Sequence, residues 1–187
     1  MQADNLSNPA PLGLMGFGMT TILLNLHNAG LFPFSGMILA MGLCYGGVAQ
    51  VIAGIMEFRK GNTFGTTAFT SYGLFWMSFV ALSLFPGLET PVAQSTPPAF
   101  MACYLLLWGV FTLFMFFGSL KKTKALQFVF ASLTLLFFLL AAKDFTGYAS
   151  LGVFAGYEGI ICGASAMYLA MADVINEEYG RIVLPVG

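Results

Sequence analysis

Charge is what this sequence has least of. Seven Lys and Arg and eight Asp and Glu stand among 187 residues, and they leave uncharged runs at 5–56, 61–88, 90–120, 125–142, 145–157 and 159–172. A soluble domain carries about a quarter charged residues and needs a wetted face on each surface helix; these runs supply none. With a net charge of −1, there is no basic surface for nucleic acid. Histidine is almost absent: His27 stands alone, with no Cys or carboxylate at ligand spacing, so no metal centre is expected. It falls at the end of the first apolar segment, where loop groups would satisfy it. The three cysteines, Cys44, Cys103 and Cys162, fall inside apolar runs. There a thiol is expected to be buried as a small hydrophobe, and no disulfide framework follows. Gly61–Asn62–Thr63–Phe64–Gly65 lacks the Lys of a phosphate loop, and there is no nucleophile elbow or His–Asp pair. These absences speak against an enzyme, and no cofactor is expected. The first residues, MQADNLSNPAPLG, have neither a basic leader nor a cleavage site, so the first hydrophobic helix is expected in the mature protein.

What fills the chain instead is apolar: 58% of residues are hydrophobic and 16% aromatic. About 20 apolar helical residues span a bilayer core, and a charge at its centre costs roughly 2.5–3.5 kcal/mol on insertion scales. Barrel strands would alternate apolar and polar over about ten residues; these runs are longer and apolar on every face. Phe-rich stretches such as 111–117 read as lipid-facing surface. Asn28, Ala29, Gly30 and Pro33 break the first run in two, since Gly frees the backbone and Pro removes a donor. Pro86 and Gly87 end a third segment, and Pro91, Pro97 and Pro98 mark the loop after it. The reading is an all-α membrane protein, one six-helix transmembrane domain over 1–187, with spans near 12–27, 35–56, 66–85, 100–120, 126–142 and 150–172. Arg59, Lys60, Lys121, Lys122, Lys124 and Arg181 fall on one side of these spans and only Lys143 on the other. The positive-inside rule then puts both termini in the cytoplasm of a multi-pass inner-membrane protein. Gly42-x3-Gly46, Gly152-x3-Gly156 and Gly159-x3-Gly163 are candidate close helix contacts, although such spacings also arise by chance in a glycine-rich membrane chain.

Polar groups inside a span point to a pathway or to interhelical hydrogen bonds. Phe17, Thr21, Asn25 and Asn28 recur at spacings of four, four and three, one stripe of a helix, with Thr20 beside it. Gly46, Gln50, Gly54 and Glu57 form a second stripe. The third span adds Thr66, Thr70, Ser71, Tyr72 and Ser78, and the fifth adds Gln127, Ser132 and Thr134. Together these would line a narrow route of hydrogen-bonding groups with no fixed positive charge. Glu158 interrupts the sixth span, with Cys162 and Ser165 on its face. It is either a proton-titrating group beside the route or a hydrated residue of an outer vestibule.

NPAPLGLMGFGMTTILLNLHNAG (8–30) resembles the signature of the acetate uptake transporter family. The similarity continues through YGGVAQVIAG (45–54), GNTFGTTAFTSYGLFW (61–76), LWGVFTLFMFFG (107–118), LQFVF (126–130), ICGASAMYLA (161–170) and the tail 176–185. The resemblance implies transport of acetate and succinate, with protons as a possible co-substrate, through a route inside each protomer of a homohexamer. It implies an apolar constriction of Phe17, Tyr72 and Leu133, and a selectivity position at Ala166. Glu158 departs from the apolar residue the family pattern has there; Glu57 is the other candidate for proton coupling. In Asn8-Pro9-Ala10-Pro11-Leu12-Gly13, Asn8 is a good cap and Pro9 a good first residue for a short N-terminal helix on the cytoplasmic side. The N–H groups of that helix would attract a carboxylate, and Thr and Asn along span one would hold it only weakly, as throughput requires. The Tyr72 hydroxyl is expected to steady the passing anion. Two other classes stay open: a pore for small neutral solutes such as urea or ammonia, and a membrane scaffold that transports nothing.

Overall fold

The computed structural model describes residues 6–87 and 95–187; Pro91 lies outside them. Six helices follow one another: α1 (Ala10–Asn28), α2 (Gly36–Arg59), α3 (Thr63–Leu84, with a 3-10 turn at Phe85–Gly87), α4 (Pro98–Ser119), α5 (Lys124–Thr146) and α6 (Ala149–Tyr179). Helices α2 to α6 are long and apolar enough to cross a bilayer. The amides and imidazole of Asn25, His27 and Asn28 make α1 less apolar, but its 19 residues are about 28 Å long at 1.5 Å each, close to a hydrocarbon core. It completes an all-α, six-helix membrane fold.

Most helices outrun the expected spans, and the reason is the charges that set the expected ends. Arg59, Lys124, Lys143, Asp173 and Glu177 all lie inside helices, because a helix continues through the interface where a charge is solvated. The starts are chemical. Asn62 accepts from the Gly65 N–H at 3.1 Å and Thr123 Oγ1 from the Leu126 N–H at 3.3 Å, each satisfying an orphan donor. The NPAP segment is continuous with α1 rather than a separate short helix: Pro9 is the cap residue, and Asn8 Oδ1 accepts from the Ala10 N–H at 3.2 Å.

The helices close into a ring. Helix α2 packs on α3 and α1, α1 on α6, α6 on α5, α5 on α4, and a thinner α4–α3 seam completes it. That seam is aromatic: Phe75 stacks on Tyr104 at 5.8 Å, and Phe75 and Tyr72 meet Trp108 at 5.2 and 6.2 Å between ring centroids. The α1–α6 seam is built on glycine. A Cβ on Gly163 would lie 2.7 Å from the Gly18 carbonyl, one on Gly156 would lie 2.6 Å from Ala29 Cα, and one on Gly159 would overlap the Asn25 amide. Backbones this close replace the hydrophobic drive that lipid cannot give. Gly42 and Gly46 seat the rings of Trp76 and, at Gly42, Val80. Gly152 meets only the Lys143 stem, at 3.4 Å.

Helix α2 is not uniform. Residues Gly42–Ala49 form a π-helix, wider than α by its i→i+5 bonds. Thr20 Oγ1 donates to the Met41 carbonyl at its start (3.4 Å), and Gly16 leaves room for the Tyr45 carbonyl, which a Cβ there would meet at 2.5 Å. One expectation fails here. Cys44 and Cys103 lie in helices but face outward, and only Cys162 is buried.

Six of the seven basic residues gather at one end of the ring. Lys60 Nζ reaches Asn8 Oδ1 at 3.5 Å, Lys122 Nζ sits 5.7 Å above the Phe64 ring, and the Ala125 N–H bonds the Val186 carbonyl at 2.9 Å. The N-terminal turn, the α2–α3 and α4–α5 loops and the C-terminal segment are therefore neighbours. Lys143 is at the opposite end, paired with Asp144 at 2.7 Å.

Candidate functional site: a cavity closed by an aromatic collar

Inside the ring, a cavity of about 380 Å³ runs inward from the basic end. Lys121, Lys122, Thr123, Asn62 and Asp173 line its outer part, and Phe17, Tyr72 and Leu133 line its inner part together with Phe130. Those three side chains are buried, come from three different helices, and converge because the ring closes. Phe17 and Tyr72 lie 6.3 Å apart between ring centroids, and Tyr72 and Phe130 likewise. A collar of this kind repels strongly hydrated solutes by dewetting.

The cavity also brings together Ala10, Gln50 and Glu57. Gln50 is 1% exposed, and its Oε1 has no hydrogen-bond partner. That oxygen is an orphan acceptor, which only a group bringing a proton could satisfy. Glu57, also 1% exposed, is the only buried charged side chain among the described residues. Its Oε2 accepts from Asn62 Nδ2 at 2.7 Å, and Asn62 is itself held by the Gly65 N–H. No Lys or Arg bridges it: the single ion pair among the described residues is Lys143–Asp144.

The α1 stripe separates at the collar. Phe17 lines the cavity, whereas Thr20, Thr21, Asn25 and Asn28 lie beyond it, toward the opposite end. Thr20, Thr21 and Asn25 are buried and Asn28 is half-buried. Asn25 Nδ2 donates to the Thr21 carbonyl at 2.9 Å and its Oδ1 accepts from Asn28 Nδ2 at 3.0 Å, so much of this polarity is spent within the helix. Thr21 Oγ1 has no partner. Ala166 is fully buried outside the cavity lining.

Several expectations need correction. Ser132 and Thr134 do not line the cavity: Ser132 donates to Glu158 Oε1, and Thr134 bonds the Phe130 carbonyl at 2.7 Å. Gln127 is a loop fastener whose Nε2 donates to the carbonyls of Leu120 (3.2 Å) and Lys122 (2.9 Å). Glu158 lies off the cavity, half-buried between α5 and α6, with Oε2 unpartnered. The Tyr72 hydroxyl donates to Thr112 Oγ1 at 3.0 Å, and Thr112 donates to the Trp108 carbonyl at 2.7 Å. Its proton therefore fixes the ring edge rather than pointing into the lumen. Of the Phe-rich stretch, Phe114 and Phe117 are exposed as expected, but Phe111 packs edge-on against Tyr72 at 5.5 Å. His27 Nδ1 meets the Phe32 carbonyl at 3.1 Å in the loop.

Thr112, Asn62 and the Lys121–Lys122 pair were not foreseen. Thr112 is the one hydroxyl in the middle of the apolar α4, and that isolation was the only signal it offered. The lysines looked like loop charge until the ring placed them at the mouth.

Comparisons with known proteins establish the family and the fold. The GPR1/FUN34/yaaH family model matches residues 1–187. The succinate-acetate/proton symporter SatP of Escherichia coli (strain K12) is 63% identical over 190 residues, covering 100% of this chain and 98% of that protein. Acetate permease A of Emericella nidulans is 33% identical over 202 residues, covering 100% of this chain and 67% of that protein. A solved structure of the bacterial acetate channel SatP superposes with a TM-score of 0.95 at 62% identity, covering 98% of this chain and all of that one. The resemblance read from the N-terminal signature therefore holds, and this chain belongs to the GPR1/FUN34/yaaH family.

Proposed function

We propose that this chain carries acetate and succinate across a bacterial inner membrane, as a single transport domain with one route through each protomer of a homohexamer. It makes and breaks no covalent bond. The observation that carries this reading is the cavity that leads from a lysine-flanked mouth to the collar of Phe17, Tyr72 and Leu133. The basic end faces the cytoplasm, with both termini there, by the positive-inside rule.

Each step of the passage follows from the residues. Lys121 and Lys122 raise the local concentration of anions at the mouth. Gln50 offers an amide within the cavity, strong enough to orient a carboxylate and too weak to hold it. Among the described residues no Arg or Lys lines the cavity past Lys121 and Lys122, so nothing in it traps the anion. The collar passes a slender, unbranched acid that can shed water and rejects a bulkier one. Beyond it, Thr20, Thr21, Asn25 and Asn28 supply donors and acceptors toward the far end, beside Ala166.

The test is radiolabelled acetate uptake into proteoliposomes with and without a proton gradient, with urea as competitor. Uptake blocked by unlabelled acetate and indifferent to urea supports the proposal. Flux of urea without acetate would favour a neutral-solute pore, and no flux of either a scaffold.

For proton coupling, the two acidic candidates occupy different places. A proton and an anion that move together need a common site, and Glu57 lines the cavity whereas Glu158 sits between α5 and α6. Glu57→Gln should abolish acetate accumulation driven by a pH gradient while sparing downhill exchange. Glu158→Gln should accumulate like the parent protein. The reverse pattern in these two assays would move the coupling site to Glu158.

A further inference from the structure

We infer that Asn176 is a positioning residue for the cavity mouth, acting through the C-terminal segment that it clasps. The inference rests on the transport reading above. Asn176 lies on α6 three residues past Asp173. Its Oδ1 accepts from the N–H groups of Val183 (2.7 Å) and Leu184 (2.9 Å), and its Nδ2 donates to the Leu184 carbonyl at 2.8 Å. Used in this way, one side-chain amide imitates a backbone partner and fixes the segment at two successive residues. Tyr168, two turns earlier on α6, donates its hydroxyl to the Pro185 carbonyl at 2.7 Å. The segment then crosses to α5, where the Val186 carbonyl accepts from the Ala125 N–H at 2.9 Å and the Val186 side chain packs against the core.

The two ends of this strap belong to two walls of one cavity. Leu169 and Asp173 line it from α6; Thr123 and Leu126 line it from the start of α5, directly after Lys121 and Lys122. The first turn of a helix has four N–H groups without helical partners. In α5 they are covered by Thr123 Oγ1 at Leu126 and by the strap at Ala125 and, through the Gly187 carbonyl, at Lys124 (3.4 Å). The strap therefore sets where α5 begins relative to α6, and with it where the two mouth lysines stand relative to Gln50 and the collar. Asn176 contacts no solute; it fixes the rim that does.

The experiment uses the full chain in proteoliposomes of known sidedness, with acetate offered at the basic end or at the opposite end, alongside amide hydrogen exchange. Asn176→Ala should raise KM at the basic end by about fivefold, the scale of a lost hydrogen-bond clasp, and leave KM at the opposite end unchanged. Exchange at the amides of Ala125, Leu126 and Gln127 should quicken by about tenfold, with the rest of α5 unaffected. Asn176→Asp, which keeps both acceptor bonds but sets a carboxylate oxygen against the Leu184 carbonyl, should recover only part of the parental KM. An unchanged KM at the basic end, or an equal change at both ends, overturns the inference. If Asn176→Ala fails to reach the membrane, Tyr168→Phe removes a single strap bond and should shift the same two readouts in the same direction; no shift there is equally fatal. A parent protein that carries no acetate would sink the transport reading instead, and exchange at Ala125 would then decide the clasp alone.

Discussion

Replacing Gly159 with valine should leave little folded protein in the membrane. The α1–α6 seam is the closest in the ring, and at Gly159 the first added carbon already overlaps the Asn25 side chain. Asn25 cannot swing aside cheaply, because its amide is bonded to Thr21 and Asn28 and losing those bonds inside the ring exposes buried polar atoms. Overpacking costs about 1–3 kcal/mol in an ordinary core, and here the clash, the broken amide ladder and the displaced helix add together. Yield after detergent extraction and thermal unfolding of what remains would measure it. Gly36→Val is the control, since a Cβ there meets nothing within 4 Å. Parental yield and Tm for Gly159→Val would mean that α1 and α6 are not held by this seam.

Leu133→Ala should change what passes rather than whether anything passes. Leu133 is buried, lines the inner part of the cavity and stands opposite Phe17 and Tyr72. Trimming it opens the collar on its most compliant side, since Tyr72 is pinned to Thr112 and backed by Trp108, Phe111 and Phe130. One methylene of pocket size is worth roughly 10–200-fold in discrimination, so the preference for acetate over lactate should fall by about tenfold or more. Folding should suffer less than for a sealed core site, because the space opens into an existing cavity. Paired acetate and lactate fluxes give the answer. Identical selectivity in the variant would remove Leu133 from the constriction.

The sequence made some of this legible and hid the rest for physical reasons. Uncharged runs, with the Gly and Pro break inside the first of them, pointed to the all-α membrane fold, because a charge at mid-bilayer is costly. The same rule misjudged the ends, where Arg59, Lys124 and Asp173 sit within helices. Glycine spacing on α6 marked candidate close contacts but not their partner, which the structure shows to be α1 for Gly156, Gly159 and Gly163. The outward turn of Cys44 and Cys103 was invisible: in lipid, an apolar residue is equally at home on either face, so hydropathy carries no inside–outside signal. Spacing placed Phe17 on the stripe of Thr21 and Asn25, yet could not show that the Asn25 and Asn28 amides bond within the helix, one to the Thr21 carbonyl and one to the other amide. Phe17, Tyr72, Lys122 and Leu133 come from different helices and a loop, and ring closure alone brings them to one cavity.

The wide turn in α2 has a consequence for how much editing that stretch can bear. Every residue of an α-helix advances the chain by about 100° around the axis. Eight residues of this wide coil turn about as far as seven of an α-helix, so tightening all of Gly42–Ala49 to ordinary α geometry would swing everything downstream out of phase with the lumen. Gln50 and Glu57 would leave together, although neither had been altered. The glycines and small side chains of this uncharged octet thus act as a phase-setter for the amide and the carboxylate that follow it, and its pitch matters more than its chemistry.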